Sequence, residues 1–461
     1  MHSKNTDLCE GSIFKKIVML FIPILLAGLL QQFFNAADVV LAGNLTISGS
    51  DAVAAVGSTT AITKLMINFF IGCSTGSAVT VSQAIGSKRK DEISAAVHTA
   101  ITLALVLGGI LSIIGVILAK PLLVAISTPS NILNLSVTYL RIYFLSMIPY
   151  MLYNFSAAIL RSFGETKKPL YFLLISGPIK LILTVFFVSY LKLDVAGIAL
   201  AGTCSQFVSA VLGLIALIKR NDEGKLKLNK LGFYKNAFKK ILFLGIPSGI
   251  QSATFSLSNV FIQSSVNSLS YINGFITGNA AASSFEGFTD SLTSAFYSSV
   301  MTFVGQNVGA KKYKRVKKGI IYTHLFAFVV TAVSSVLICI FSKQIIGIYI
   351  KDSTEAIFWG TTKLICVFSF LILQALMDVT VGSLKGMGIS FSSMLISLIG
   401  VCGVRILWAS TVFLIPIYHT PQVLFTCYPV SWAITFIAET ILLIYSYKKQ
   451  KRKYYTKSEV S

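Results

Sequence analysis

Three groups of ionisable residues fall inside long apolar stretches of this 461-residue sequence, where a charge is costly and therefore informative. Placing a charged side chain at the centre of a bilayer costs at least about 2.5–3.5 kcal/mol on insertion scales, so each such residue is a functional candidate. Asp38 lies fifteen residues beyond Pro23 in the first stretch. Protonating a buried carboxylate removes its charge and a bound Na⁺ compensates it; either event can switch a helix bundle between two packings. The plainer reading of Asp38 is a helix-end carboxylate at the outer interface, paired with solvent. Lys180 and Thr184 stand in the fifth stretch. The second half holds Glu286 and Asp290 in its second stretch, Gln374 and Asp378 in its fourth, Arg405 in its fifth and Glu439 in its sixth. Glu286 and Asp290 are spaced i,i+4, so they share a helix face, and two carboxylates that close cannot both ionise cheaply in a low dielectric. Arg405 cannot shed its charge and calls for a carboxylate partner; Asp378 is the expected one, in a structural pair. Lys64, Arg141 and Lys363 read as interfacial charges.

Other signals are weaker. Gly72-Cys-Ser74-Thr-Gly76 matches the G-x-S-x-G hydrolase elbow, but it sits inside an apolar helix rather than at a strand-to-helix turn. Small residues there suit close helix packing instead. His98 and His324 are single histidines with no acid or serine constellation, and read as packing or pore-lining. The seven cysteines are scattered singly, with no CxxC pair, which gives neither a zinc site nor a disulfide framework. No G-x-x-x-x-G-K-[ST] is present, so no nucleotide drives the protein by that route.

The elements that position these residues follow from composition. Hydrophobic residues make up 54% and charged ones only 12% of the chain, with a mean hydropathy of +0.77. A soluble domain carries roughly 25% charged residues. Apolar stretches fall at 13–42, 53–84, 94–119, 134–160, 170–190 and 195–218, and again at 238–266, 274–305, 318–342, 356–384, 391–416 and 421–447. Each is long enough to cross about 30 Å of hydrocarbon as a helix and too long for a barrel strand. The first stretch, behind Lys15 and Lys16, reads as an uncleaved span rather than a signal peptide. The expected organisation is an amino-terminal six-helix bundle (1–218), a linker (219–237), a carboxy-terminal bundle (238–447) and a basic tail (448–461).

The net charge of +22 is a topology signal. With both termini cytoplasmic, cytoplasmic segments hold 30 of the 39 Lys and Arg residues, among them Lys88–Lys90, the linker lysines, Lys311–Lys318 and Lys385. The outer loops keep Lys120, Lys192, Lys343 and Lys351, and nucleic-acid binding is not needed to explain the excess. The halves also repeat. Phe14-Lys-Lys-Ile with Pro23 parallels Phe238-Lys-Lys-Ile with Pro247; Ser82-Gln83-Ala-Ile-Gly86 parallels Gly305-Gln306-Asn-Val-Gly309; Arg161-Ser-Phe-Gly164 parallels Lys385-Gly-Met-Gly388. Pro23, Pro247, Gln83 and Gln306 are the landmarks of this repeat, at offsets of 223 or 224 residues. Parallel repeats of six helices are a transporter architecture, with the substrate site between the halves.

At these residues the sequence resembles the MATE (multidrug and toxic compound extrusion) family, within a superfamily that includes lipid-linked oligosaccharide flippases. The likeness is carried by Gln31-Gln-Phe-Phe-Asn35-Ala-Ala-Asp38, by Gly72-Cys-Ser-Thr-Gly76 running into Gln83-Ala-Ile-Gly86, and by Arg161-Ser-Phe-Gly-Glu-Thr166. Thr302-Phe-Val-Gly-Gln-Asn-Val-Gly309 and Tyr428-Pro-Val-Ser-Trp432 complete it. The resemblance implies an all-α membrane protein, with twelve transmembrane helices in two pseudo-twofold-related six-helix bundles forming a V around a central cavity. It implies alternating access driven by inward flow of H⁺ or Na⁺. It makes Asp38, with Asn35, Lys180 and Thr184, the expected ion-coupling set, and Glu286, Asp290, Asp378, Arg405 and Gln374 the cavity candidates of the second half. The sequence departs from the family in the fifth helix. Members that couple through the amino-terminal bundle carry Asn-x-x-x-Asp there, whereas this chain has Lys180-Leu-Ile-Leu-Thr184. An ammonium beside Asp38 would occupy the place of a bound cation, so an internal Lys180–Asp38 pair is expected and Na⁺ binding is not; the plainer reading has Lys180 snorkelling or bound to a carbonyl.

The expected function is a secondary antiporter exporting amphipathic organic cations, driven by H⁺ before Na⁺, with no cofactor and no enzymatic activity. The alternative is a flippase or exporter of a lipid-linked or anionic metabolite, which Lys180 and Arg405 would suit. Expected partners are a small organic substrate and membrane lipids, with no nucleic acid and a monomeric chain. The expected location is a bacterial inner membrane, crossed many times with both termini cytoplasmic.

Overall fold

The structure, a computed structural model, describes residues 7–46 and 48–458. Every regular element among them is helical. The first half runs α1 (Ile13–Leu45), α2 (Ser50–Ser87), α3 (Lys90–Ala125), α4 (Ser130–Leu145 and Met147–Ser162), α5 (Lys167–Val185) and α6 (Asp194–Ile218). The second runs α7 (Lys235–Ser268), α8 (Phe275–Gly309), α9 (Tyr313–Ile340), α10 (Thr354–Phe368 and Leu371–Gly386), α11 (Ser390–Ser397, resuming as Val404–Ser410) and α12 (Cys427–Ser458). Nine are single helices long and apolar enough to cross a membrane, and the bent α4 and α10 bring the number to eleven. The twelfth is α8, 35 residues long. Asn279, Ser283, Glu286 and Asp290 recur along it at three or four residues, which lowers its mean hydropathy without shortening it.

The repeat seen in sequence is also a repeat of irregularities. α4 and α10 each bend by 46° at the same place in their halves. Ser146 and Ser369 stand at the two breaks, 223 residues apart, and their hydroxyls donate to Tyr143 O (2.6 Å) and Ile365 O (2.6 Å). A serine bonding back to its own helix competes with the backbone ladder and bends it. α5 widens into a π-turn at Phe186–Tyr190 and α11 into one at Leu398–Gly403. Such bulges inside helices mark functional segments in many proteins.

Contacts divide the chain into two compact units, one built on Ile22–Gly249 and the other on Leu8–Phe21 with Ile250–Ser461. The divisions fall inside α1 and α7, beside Pro23 and just past Pro247. Proline removes an internal hydrogen bond and weakens the helix where it stands. In the first unit, Phe155 and Leu160 of α4, with Phe163 just past its end, share a core with Val97, Ala100 and Ala104 of α3. There, too, the start of α7 lies on α2. A Cβ built on Gly72 would come 2.5 Å from Gly249 Cα, and one on Gly76 would come 2.2 Å from Ile241 O. Gly72-x-x-x-Gly76 faces Gly245-x-x-x-Gly249, which explains the G-x-S-x-G match as backbone approach rather than catalysis. In the second unit, Phe275, Phe368, Leu371 and Phe425 form the core, and Phe21 of α1 stacks on Phe296 at 4.2 Å. Outward faces are apolar, as lipid requires: Ile113 and Ile117 on α3 are both 65% exposed, with Ile434, Ile437 and Ile441 on α12.

Candidate functional site

Asp38 sits near the end of α1, and Lys180 on the α5 segment that leads into its π-turn. Lys180 Nζ donates to Asp38 Oδ2, and the two side chains are only 17% and 18% exposed. Asp38 Oδ1 is buried and has no hydrogen-bond partner. Tyr139 and Tyr143 of α4, stacked with ring centroids 6.2 Å apart, lie within electrostatic reach of the carboxylate. The expected pair therefore forms. Its expected companions do not join it: Asn35 is exposed, and Thr184 is buried but donates to Lys180 O of its own helix at 2.9 Å.

The second unit corrects several expectations. Arg405 does not meet Asp378. Its Nε donates to Ser431 Oγ (3.1 Å) and its Nη1 to Asn259 Oδ1 (3.4 Å), while the guanidinium lies 4.4 Å from the Tyr428 ring centroid and 6.0 Å from that of Trp432. Neutral acceptors and aromatic faces meet its charge, and a delocalised guanidinium tolerates this better than an ammonium would. Lys363 is not interfacial. It is 2% exposed and pairs with Glu286 at 2.7 Å, donating also to Ser283 Oγ at 2.6 Å. The counter-charge of Glu286 thus comes from Lys363 of α10. Asp290 is exposed and accepts from Gln374 Nε2 at 3.1 Å. Asp378 bonds Thr293 of α8 and lies within electrostatic reach of Asp290 and Lys385. Lys385, counted from sequence among the loop charges, is buried in the last turn of α10, 3% exposed, with its ammonium 5.4 Å from the Tyr297 ring centroid. Lys64 and Arg141 are exposed.

The repeat offset relates the two sites. Adding 224 carries Asn35 onto Asn259 and Lys180 to within one residue of Arg405. Each half therefore places a cation from its fifth helix against a polar residue of its first helix. The first half supplies an acid as partner, the second an amide.

Two straps precede the first helix of each half. Leu8–Gly11 is held in the second unit: Gln306 Oε1 accepts from Leu8 N (3.2 Å), Asn307 Nδ2 donates to Leu8 O (3.2 Å), and Arg315 reaches three carbonyls, those of Leu8, Glu10 and Gly11. This is what the repeat landmark Gln306 does. The linker is held in the first unit. His98 Nε2 accepts from Lys227 N (3.0 Å), Thr102 Oγ1 from Gly232 N (2.9 Å) and Thr99 Oγ1 from Tyr234 N (3.2 Å). His98 is thus a linker anchor rather than a pore-lining residue. Arg220, held by Asp222 of the same linker (2.5 Å), fastens it to Glu165 (3.0 Å) and stacks 3.8 Å from the Phe163 ring centroid. Lys90 pairs with Glu223 at 2.9 Å and holds that carboxyl below the usual glutamate range by its hydrogen bond.

Comparison with known proteins agrees with this arrangement. The MatE family model matches residues 23–186 and again 247–411, so it begins at Pro23 and at Pro247. Over 447 residues the chain is 26% identical to "Probable multidrug resistance protein YoeA" of Bacillus subtilis, covering 95% of this chain and 94% of that one. It is 27% identical over 399 residues to "Probable multidrug resistance protein YpnP" of the same organism, covering 86% and 87%. The fold matches the outward-facing structure of a multidrug resistance MATE family transporter of the MOP superfamily, with a TM-score of 0.89, 18% identity, and 98% and 100% of the two chains covered. It also matches a MOP superfamily transporter from Pyrococcus furiosus, described by the reverse polarity of its binding pocket, with a TM-score of 0.89, 18% identity, and 98% and 99% covered. Both halves of the chain fit one family model and the whole of it fits the solved fold, so this all-helical chain belongs to the MatE family of membrane transporters.

Proposed function

We propose that this protein is a secondary antiporter that exports amphipathic organic cations by alternating access, driven by H⁺ rather than Na⁺. The observation that carries the reading is the Lys180–Asp38 pair. An ammonium already compensates the carboxylate, so a second monovalent cation gains little there. A proton arriving at Asp38 instead breaks the pair's attraction and changes how α1 and α5 hold together. The buried, unbonded Oδ1 is the acceptor open to that proton. The Lys- and Arg-rich segments support a multi-pass inner-membrane protein with both termini cytoplasmic. The chain is taken to work as a monomer of two six-helix halves, 1–218 and 238–447.

The test is dissipation of ΔpH in everted vesicles on adding a panel of cationic drugs. Wild type is expected to move protons in response to drug, with or without Na⁺, and Asp38→Asn to lose the response. A response that requires Na⁺ overturns the proton reading. A second reading, export of an anionic or lipid-linked metabolite, is favoured by Lys363 and Arg405 buried in one unit and by likeness to the transporter of reverse pocket polarity. No response to any cation, with counterflow of an organic anion, selects it.

A further inference from the structure

The second unit buries a carboxyl group that the coupling scheme above does not use. Glu439 of α12 is 0% exposed. Its Oε1 accepts from Ser393 Oγ (3.1 Å) and Ser397 Oγ (2.9 Å), both on one face of α11. Its Oε2 is buried without any hydrogen-bond partner. Ser390 Oγ, further along that face of α11, and Thr440 Oγ1, next in sequence to Glu439, are also buried without partners.

A carboxylate with one bare oxygen in a fully buried site is expensive, because desolvation is not offset by bonds to both oxygens. The neutral acid avoids that cost. The ionised form is nonetheless supported, because Lys385 of α10 lies within electrostatic reach of Glu439 while bridging also toward Asp378. His324 of α9 packs on Phe436, one turn before Glu439, with both ring nitrogens occupied, Nδ1 at Ile320 O (2.9 Å) and Nε2 at Thr380 Oγ1 (3.0 Å). α11 presents only serine hydroxyls here, and Arg405 is engaged two turns away with Ser431. A metal ion does not suit the site: Lys385 already supplies the positive charge, and no group of three acid, histidine or cysteine ligands occurs among the described residues.

We propose that Glu439 is a proton-exchange site of the second unit. Oε2 binds and releases the proton, Ser393 and Ser397 hold Oε1, and Lys385 balances the ionised form. One O–H bond forms on uptake and the same bond breaks on release. The charge of the cluster changes by one. The two serines donate to the same oxygen in both states, so the carboxyl stays fixed while its charge changes, which is what a switch needs from its framework. Its part in export rests on the proton-driven reading above; its titration does not.

The test is infrared difference spectroscopy of the purified full-length protein in lipid nanodiscs, stepped from about pH 9 to about pH 5, a range that spans perturbed carboxyl groups. A protonated-carboxyl C=O band is expected to grow on acidification and to be missing in Glu439→Gln, which keeps the oxygen that the serines bond. Ser397→Ala should move the band's frequency, and Lys385→Met the pH at which it grows. A set of bands unchanged by Glu439→Gln, or a Glu439 band of constant intensity over the whole range, overturns the proposal. In everted vesicles, Glu439→Gln is expected to lower drug-driven proton movement at least about tenfold. If wild type moves protons and the variant matches it, the site has no part in coupling, while the reading built on Asp38 stands.

Discussion

Lys363 shows what one buried ammonium demands of its surroundings. Removing a single member of a buried ion pair strands the other and costs about 3–5 kcal/mol, whereas replacing both can be nearly neutral. Lys363→Met is therefore expected to lower thermal stability sharply in a scintillation or fluorescence melt, and Lys363→Met with Glu286→Gln to recover most of the loss. Equal destabilisation by the single and the double variant would mean that Lys363 acts through packing alone. The sequence exposed the i,i+4 spacing of Glu286 and Asp290 because both lie on one helix. It could not reveal that Lys363 neutralises the first of them, because that depends on which faces of α8 and α10 meet. The same blindness misassigned Arg405 to Asp378. A charge in an apolar stretch signals that a partner exists, and the guanidinium found an amide, a hydroxyl and two aromatic rings where an acid was expected. Asp38 and Lys180 were legible because the departure from the family pattern placed an ammonium where an acid's cation would bind.

Helices and the segments between them carry a second kind of information. Twelve apolar stretches predicted twelve helices, and their length alone decided this. The breaks in α4 and α10 were invisible, since serine inside an apolar run is common and only its bond back to the helix shows the bend. The close crossing of α2 and α7 was half visible, as one G-x-x-x-G without its mate. Gly76→Leu would drive a side chain into the Ile241 carbonyl, and overpacking of this kind costs about 1–3 kcal/mol or more. The expected result is loss of crosslinking between cysteines introduced at the facing turns of α2 and α7, whereas Gly57→Leu, where a Cβ meets nothing within 4 Å, should leave it unchanged. The linker's hold on α3 has a pH dependence of definite sign. Glu223 titrates below the usual range of about 4.3 because Lys90 bonds its ionised form. That contribution is present above the ordinary glutamate value and is lost as pH falls through the depressed one. Amide exchange at Lys225 and Leu226, beside Glu223, should therefore lose protection beyond intrinsic chemistry as pH falls through that depressed value. Glu223→Gln should remove that acid step, and its persistence would place the titrating group elsewhere.

The whole molecule is a sequence repeat whose halves do not close on themselves. The segment before α1 is bonded within the unit that holds α8 and α9, and the linker before α7 within the unit that holds α3. The unit divisions fall beside Pro23 and just past Pro247, the residues at which the family model begins its two matches. Sequence offers the offset of 224 residues but cannot tell that the helix leading each half starts in the other half's unit, because a repeat gives correspondence and not contact. Orientation in the membrane is a property of the same scale, and it follows from where the lysines lie. If 30 of 39 basic residues mark the cytoplasmic face, the linker must lie inside and the α11–α12 connection and the Ser353 turn outside. Single cysteines introduced into a cysteine-free background test this directly with a membrane-impermeant maleimide. Ser353→Cys is expected to label in intact cells, and Lys225→Cys only after the membrane is opened. The reverse pattern would invert the protein and make its basic segments extracellular. Labelling at both positions in intact cells would mean that an even number of helices crosses between them, so that α7, α8 and α9 do not all span and the count of six spans in that half would fall with it. The straps bear on this outcome, because Lys225 lies in a segment already bonded to α3 and Ser353 caps α10 through Ala356 N at 3.2 Å. Both reporters therefore sit on ordered backbone, so a difference in their reactivity would report the side of the membrane and not a difference in local order.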